Sequence, residues 1–444
     1  MSKFPANCDK ICRCRIPALQ KLPLSKQFYV TTAIDYVNGQ PHLGHAYEKI
    51  ITDVIARSRQ CLGEKVVYLT GLDEHGQKVQ QAAQDAGKDA QTYCDELATD
   101  WRAFVEKLGI CNQDFVRTTD TAHKQVVQGI LQQLYDKDEF YEDEYTGFYS
   151  ATQETFLTER DRKEDGSFDA IYGEVQELRE KNYYFKLGRH QQWLIDHIEA
   201  NPDFVAPDYR RNEVLGFLKN ETLEDLCISR PKERLEWGIP LPFDEDYVTY
   251  VWFDALVNYV SIPRSRGEEA SLWPADIHVI GKDILKFHAV YWPIMLKAAG
   301  LALPKQVLVH GWWQKDNQKM SKSIGNVVDP VAVINDWGLD AFRYYVVREL
   351  AIGPDGNWTD ESFTNRYHAE LANGLGNLVN RSLSMLTRYR EGIVPPQHDE
   401  LAAEAIAARD KLVGELRSSE LQAGLMTIWS FIARMNQYVD ETAP

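Results

Sequence analysis

Between residues 28 and 73 the hydrophobic period of the chain changes twice, and this restricts the fold more than any other feature. Residues 28–34 (FYVTTAI) are rich in β-branched and aromatic types and run into a turn, Tyr36-Val37-Asn38-Gly39-Gln40-Pro41. Over residues 42–62 apolar side chains recur at Leu43, Ala46, Ile50 and Val54, a 3.6-residue period that stops at Gly63. Residues 66–69 (VVYL) are a short apolar run suited to a buried strand. Strand, helix and strand in that order predict a parallel βαβ unit with a right-handed crossover. Ligands of such sheets sit beyond the carboxyl ends of the strands, which gathers Tyr36, His42, His45 and Asp73 around one crevice.

Parallel-sheet signals return much later. They lie at residues 248–252, at 277–280 followed by a helical pattern over 284–299, and at 306–309. Between the two sets lies a stretch rich in charge and turn residues, about 118–228, which reads as a domain inserted into a split α/β domain. Beyond Asp329 the pattern is helical almost throughout, with long amphipathic segments at 402–416 and 421–439.

A chain of 444 residues is long enough for two to four domains. Its 44% hydrophobic and 26% charged content is that of a globular protein, and no apolar run reaches the roughly 20 residues of a membrane helix. Seven scattered cysteines form no disulfide framework, so a reducing compartment is expected. Cys8, Cys12 and Cys14 have no neighbouring His or fourth Cys to complete a metal site. The net charge of −17 argues against a generic nucleic-acid binder, yet a local basic face still serves one folded RNA. Residues 1–27 hold six Lys or Arg and one Asp and read as a disordered basic extension; an organelle-targeting peptide is the alternative to a cytoplasmic protein.

Two short motifs carry the chemistry. Pro41-His42-Leu43-Gly44-His45 sets two imidazoles on the first turn of the helix, where free N–H groups and the helix dipole favour a phosphate, and Gly44 leaves room for a flat base. About 280 residues later, Lys319-Met320-Ser321-Lys322-Ser323 lies in a loop with Asp316, Asn317 and Gln318 before it and Gly325 and Asn326 after it, a composition suited to movement. Mobile lysines suit a polyphosphate leaving group. Taken alone, each motif also has an ordinary reading, the first as two histidines at a helix start and the second as a solvated turn.

Together the two motifs resemble the HIGH and KMSKS motifs of class I aminoacyl-tRNA synthetases, in the family's order and on opposite halves of a split sheet. The fuller pattern resembles the methionyl-tRNA synthetase family: the Tyr36 to His45 stretch, Gly71-Leu72-Asp73-Glu74-His75-Gly76, Val251-Trp252-Phe253-Asp254-Ala255-Leu256 with Tyr259, and Ile280-Gly281-Lys282-Asp283 with Phe287, His288 and Trp292. The similarity runs from about residue 28 to 444. It implies an α/β fold: a Rossmann-like parallel-sheet catalytic domain (28–117 and 229–309) split by an inserted α+β connective-peptide domain (118–228). A KMSKS and stem-contact region (310–370) and a partial anticodon-binding helical bundle (371–444) follow.

The same resemblance implies an enzyme that activates methionine with ATP and Mg²⁺ and loads it onto tRNA(Met), with no membrane or DNA partner. His42, His45, Lys319 and Lys322 are then the catalytic residues, and Gly44, Gly281, Asp283, Met320 and Ser321 bind ATP. Ile34, Tyr36, Asp73, Trp252, Ala255, Leu256, Tyr259, Phe287, His288 and Trp292 form the methionine pocket, with Asp73 on the ammonium and Tyr259 and His288 near the sulfur. Asn377 and Arg381 match anticodon contacts. The chemistry agrees: a substrate carboxylate attacking the α-phosphorus of ATP is already an anion, so the site needs donors and cations rather than a general base.

Two departures from the family pattern stand out. Many members bind structural zinc through Cys-x-x-Cys pairs in the insert, whereas this chain has Ser150 and Gln153 at the first pair and no cysteine between Cys111 and Cys227. No structural zinc is therefore expected. Members also continue past a Val-Asp-x-x-Ala-Pro segment with an anticodon-reading Trp, where this sequence stops at Pro444, so an incomplete bundle is expected. The competing readings are a free-standing nucleotidylyltransferase, which shares the HxGH helix start but lacks the insert and the helical third, and a non-catalytic tRNA-binding protein that keeps the fold.

Overall fold

The computed structural model describes residues 27–37, 40–150, 152, 155–157, 161–163, 165–320, 325–396 and 399–442. All but Gln27 of the expected basic extension lies outside these residues.

The centre is a parallel sheet of seven strands: β1 (Gln27–Thr32), β2 (Asp35–Tyr36), β3 (Lys65–Asp73), β4 (Asp114–Arg117), β5 (Val205–Ala206), β6 (Ile277–Gly281) and β7 (Val307–His310). β3 pairs with β1, β2 and β4, and the sheet extends from β1 through β6 and β7 to β5, each pairing parallel. Both faces are covered. Phe28 and Val30 of β1 and Val66, Tyr68 and Leu72 of β3 enter one apolar core, while Tyr29, Val67 and Leu69 enter the other. This two-sided burial explains why these strands read as nearly continuous apolar runs. The helix Leu43–Cys61 follows β2 and lies on the first of these faces, as its 3.6 period predicts.

The 118–228 stretch contains a four-stranded antiparallel sheet built on the long pairing of Phe140–Ser150 with Val175–Phe185, flanked by Thr155–Leu157 and Leu226–Cys227. Two of its pieces also pack with the parallel sheet. Val205–Ala206 is the edge strand β5, and the helix Thr121–Asp136 lies against the helix Val251–Ser265.

Residues 248–252, expected as a strand of the parallel sheet, are not one. Asp244–Thr249 is an antiparallel strand between Ser229–Pro231 and Pro240–Leu241, and a helix starts at Val251. A short apolar run cannot separate a strand from the first turn of a buried helix, and the chain uses this one for both. After β7 the chain forms a three-stranded sheet of Trp313–Lys315, Gln318–Lys319 and Gly356–Trp358, then the helices Asn377–Arg390, Ala402–Arg417 and Leu421–Thr442. Among the described residues no helix is long and apolar enough to cross a membrane.

Candidate active site

The helix Leu43–Cys61 starts at the carboxyl edge of the sheet with His42 as its N-cap in extended backbone. His42 Nδ1 accepts from the Gly44 amide at 3.1 Å, and His45 Nδ1 accepts from the His42 amide at 3.1 Å. This reciprocal pair is a capping box made of imidazoles. With Nδ1 used as an acceptor on each ring, the ring proton sits on Nε2, so capping fixes both tautomers as Nε2–H donors. A Cβ on Gly44 would meet His42 Cε1 at 3.0 Å, so any larger residue here would press on the capping ring. His45 rests edge-on against Trp101, and its Nε2 is 4.0 Å from Asp35 Oδ1. Burial pushes the Asp35 carboxyl up to about 6, Glu48 adding to the rise and the Lys49 ammonium 2.5 Å away opposing it.

Beside this edge opens a pocket enclosing about 660 Å³ of space, part of it open to solvent. Tyr36 and Asp73 meet in register where β2 pairs with β3. Trp252, Ala255, Leu256 and Tyr259 come from one helix at spacings of three, four and seven, one face of Val251–Ser265. Ile34 and His288 complete the expected lining. The Tyr259 hydroxyl lies 2.6 Å from His288 Nε2, and His288 Nδ1 lies 3.0 Å from the Ile284 carbonyl, which only a protonated Nδ1 can satisfy. Burial depresses the His288 pKa to about 4, so the ring is neutral at pH 7 and accepts from Tyr259.

Phe287 and Trp292 do not join this lining. Phe287 stacks on Trp252 with ring centroids 3.8 Å apart, and Trp292 is fully buried with its indole N–H directed at His278 Nε2, 3.3 Å away. Residues Phe287–Tyr291 wind as a π-helical turn before the helix Trp292–Ala299, which breaks the spacing that would carry one face onward.

Gly281 and Asp283 sit at the carboxyl end of β6, and a Cβ on Gly281 would lie 2.6 Å from Asp283 Oδ1. The indole N–H of Trp312 donates to that same Oδ1 at 3.1 Å. Three further features are formed here; Lys78, Glu48, His310 and His123 belong to no motif, whereas Asp254 and His75 stand in the quoted stretches with no role that spacing assigns. Lys78 lines the pocket; Glu48 meets His310 across 3.2 Å beside Gly281; and Asp254, fully buried, bonds His75 at 2.6 Å and His123 at 2.7 Å. Burial alone would raise the Asp254 carboxyl, but the two histidines more than offset it and hold it below the usual range. This bond set anchors the first turn of the helix that supplies Val251, Trp252, Ala255, Leu256 and Tyr259 to the pocket.

The residues before the second motif are not a loose loop. Asp316 and Asn317, both with positive φ, form the two-residue turn of a hairpin between Trp313–Lys315 and Gln318–Lys319. Asp and Asn tolerate that left-handed backbone, which is why the pair serves as a tight turn. Met320 packs against the core, whereas the Lys319 side chain and all of Ser321 and Lys322 lie outside the described residues. Asn377 and Arg381 line one groove with Trp429, Asn436 and Asp440, and Arg381 bonds Asp440 at 2.6 Å. Ser150 is buried and donates to the Tyr172 carbonyl at 2.5 Å; Gln153 lies outside the described residues.

A family model described as tRNA synthetases class I (M) matches residues 28–166 and 165–383. Methionine–tRNA ligase of Clostridium perfringens is 41% identical over 429 residues, covering 94% of this chain and 66% of the relative. That of Bacillus subtilis is 42% identical over 443 residues with the same coverage. The chain thus spans 66% of the length of these curated relatives. Among solved structures, Mycobacterium tuberculosis methionyl-tRNA synthetase in complex with methionyl-adenylate superposes with a TM-score of 0.87 at 39% identity, covering 94% of this chain and 84% of that one. Its free form gives 0.82 at 36%, covering 95% and 82%. A family model matched across most of the chain, on a split parallel sheet with the paired imidazoles at its carboxyl edge, makes this chain a member of the methionyl group of class I tRNA synthetases.

Proposed function

We propose that this chain activates L-methionine with ATP to methionyl-adenylate, releasing pyrophosphate, and then transfers the methionyl group to the 3′ end of tRNA(Met). The observation that carries the reading is the pocket itself, whose lining joins a carboxylate, Asp73, and the hydrogen-bonded Tyr259 and His288 to apolar side chains. A substrate with an ammonium, a short apolar stem and a polarizable sulfur matches that set of groups.

One carboxylate oxygen of methionine forms a bond to the α-phosphorus while the bond to the bridging oxygen of pyrophosphate breaks. The nucleophile is already ionised, so no proton moves, and the barrier lies in the negative charge gathered on phosphate oxygens. His42 and His45 supply Nε2–H donors whose tautomers are set before ATP arrives. Lys319 and Lys322 stabilise the departing pyrophosphate, with Met320 and Ser321 against the nucleotide, and ATP enters as its Mg²⁺ complex. Gly281 and Asp283 hold the adenosine, Asp283 accepting from ribose hydroxyls, and Gly44 admits the base. Phe287 and Trp292 support Trp252 and Tyr259 from behind.

We assign 28–117 and 229–309 to the catalytic domain, 118–228 to the insert, 310–370 to the stem-contact region and 371–444 to the anticodon-binding helices, with Asn377 and Arg381 meeting tRNA. The insert is held by packing without zinc; Ser150 makes an ordinary hydrogen bond where a thiolate ligand would stand. A cytoplasmic location accords with seven scattered cysteines that form no regularly spaced disulfide framework.

Methionine-dependent exchange of labelled pyrophosphate into ATP tests the first step. Exchange with methionine above all other amino acids is the expected result; exchange driven by another amino acid, or none from a folded sample with Mg²⁺, overturns it.

A further inference from the structure

The residues lining the pocket include two that carry formal charge at pH 7, Asp73 and Lys78, since His288 is held neutral. Lys78 stands in the first turn of the helix Gln77–Asp85, which leaves the carboxyl end of β3 just past Asp73. Its ammonium lies 5.7 Å from the centre of the Tyr36 ring, and Tyr36 is the register partner of Asp73. The lining therefore brings together an anion, an aromatic ring and a cation with the buried side chains of Ala255, Leu256 and Tyr259.

An amino acid entering such a pocket is a zwitterion. Asp73 answers its ammonium but leaves its carboxylate, which must lose water to react, without a counter-charge; an ionised carboxylate buried unpaired is strongly disfavoured. We propose that Lys78 binds the α-carboxylate of the amino acid substrate and directs one of its oxygens toward the α-phosphorus of ATP. This rests on the methionine-activation reading and extends it, because it identifies the residue that fixes the nucleophile. Lys78 keeps its three protons throughout: the carboxylate oxygen gains the bond to phosphorus, pyrophosphate carries away the electron pair of the broken bond, and the lysine contact passes to the carbonyl oxygen of the product. A cation here holds the carboxylate ionised and ready, and it selects amino acids over amines of the same side chain.

The test compares methionine with methioninol, which keeps the side chain and the ammonium but replaces the carboxylate by a neutral CH₂OH. Binding of each is measured by calorimetry to the wild type, Lys78→Met and Lys78→Arg. Lys78→Met is expected to weaken methionine roughly ten- to hundredfold, the range for a hydrogen bond to a charged group, and methioninol by less than about twofold. Lys78→Arg should recover most of the methionine affinity. Equal weakening of both ligands in Lys78→Met, or unchanged methionine affinity, overturns the assignment while leaving methionine activation intact. Failure of the wild type to bind methionine overturns the underlying reading and the assignment with it.

Discussion

The Tyr259 hydroxyl donates to His288 Nε2 over 2.6 Å, and the direction of that bond is set from the far side of the ring by the Ile284 carbonyl. Tyr259 thereby presents only oxygen lone pairs to a ligand, and His288 stays uncharged because burial holds its pKa at about 4. Protonating His288 would destroy the acceptor and place a cation in the pocket wall.

Methionine affinity should accordingly be flat from pH 8 to about 5.5 and fall below that as His288 takes up a proton. Stability follows the same sign. The folded pKa lies below the unfolded value of about 6.5, so the contribution is full above 6.5 and is lost as pH falls toward 4, by roughly 3 kcal/mol at most. Titrating binding by tryptophan fluorescence in wild type and His288→Gln checks this: the glutamine variant should lack the acid limb, and a wild-type break near pH 6.5 would contradict the buried, neutral ring.

Asp73→Asn keeps the shape of the pocket and removes its anion. Methionine binding should weaken by roughly tenfold or more, because the ammonium loses a charge-assisted partner. ATP binding should change little, and comparing the two dissociation constants separates loss of the ammonium contact from general damage.

His42→Ala should lower the adenylation rate by roughly 10²- to 10³-fold, as for removal of one preorganised donor, with little change in methionine affinity. It also removes the N-cap bond to Gly44, worth about 1 kcal/mol. His42→Asn is the useful control, since it restores a cap acceptor without an imidazole N–H. It should regain stability in a urea melt but not the single-turnover rate; recovery of both would reduce His42 to a structural residue.

Removal of Asp254 leaves His75 and His123 without their shared acceptor at a fully buried site. Asp254→Ala should destabilise the protein by about 3–5 kcal/mol, the range for breaking a buried pair from one side. In whatever folded fraction survives, methionine affinity should also fall, because this bond set fixes the helix that carries Trp252 and Tyr259. A thermal melt unchanged within a degree would dismiss the network as an anchor.

Much of this molecule was legible in one dimension because its information is local. A 3.6-residue period fixes the helix from Leu43, the apolar runs at β1, β3, β6 and β7 fix buried strands, and His42 and His45 are three residues apart on a first turn. Each depends on near neighbours in the chain, so pattern alone determines it, including the α/β class and the position of His42 and His45 at the carboxyl edge of the sheet. What only the tertiary structure decided rests on groups brought together across the chain. Asp254 meets histidines 179 and 131 residues away, and Glu48 meets His310 across 262. Lys78, with no motif of its own, reaches the pocket because β3 ends there. Trp292, which the family resemblance puts in the pocket, follows a π-helical turn and packs on Tyr259, a placement no spacing of residues gives. Burial assigns the remaining properties: it makes His288 neutral and raises Asp35, and burial is a property of the packed whole that no spacing of letters encodes.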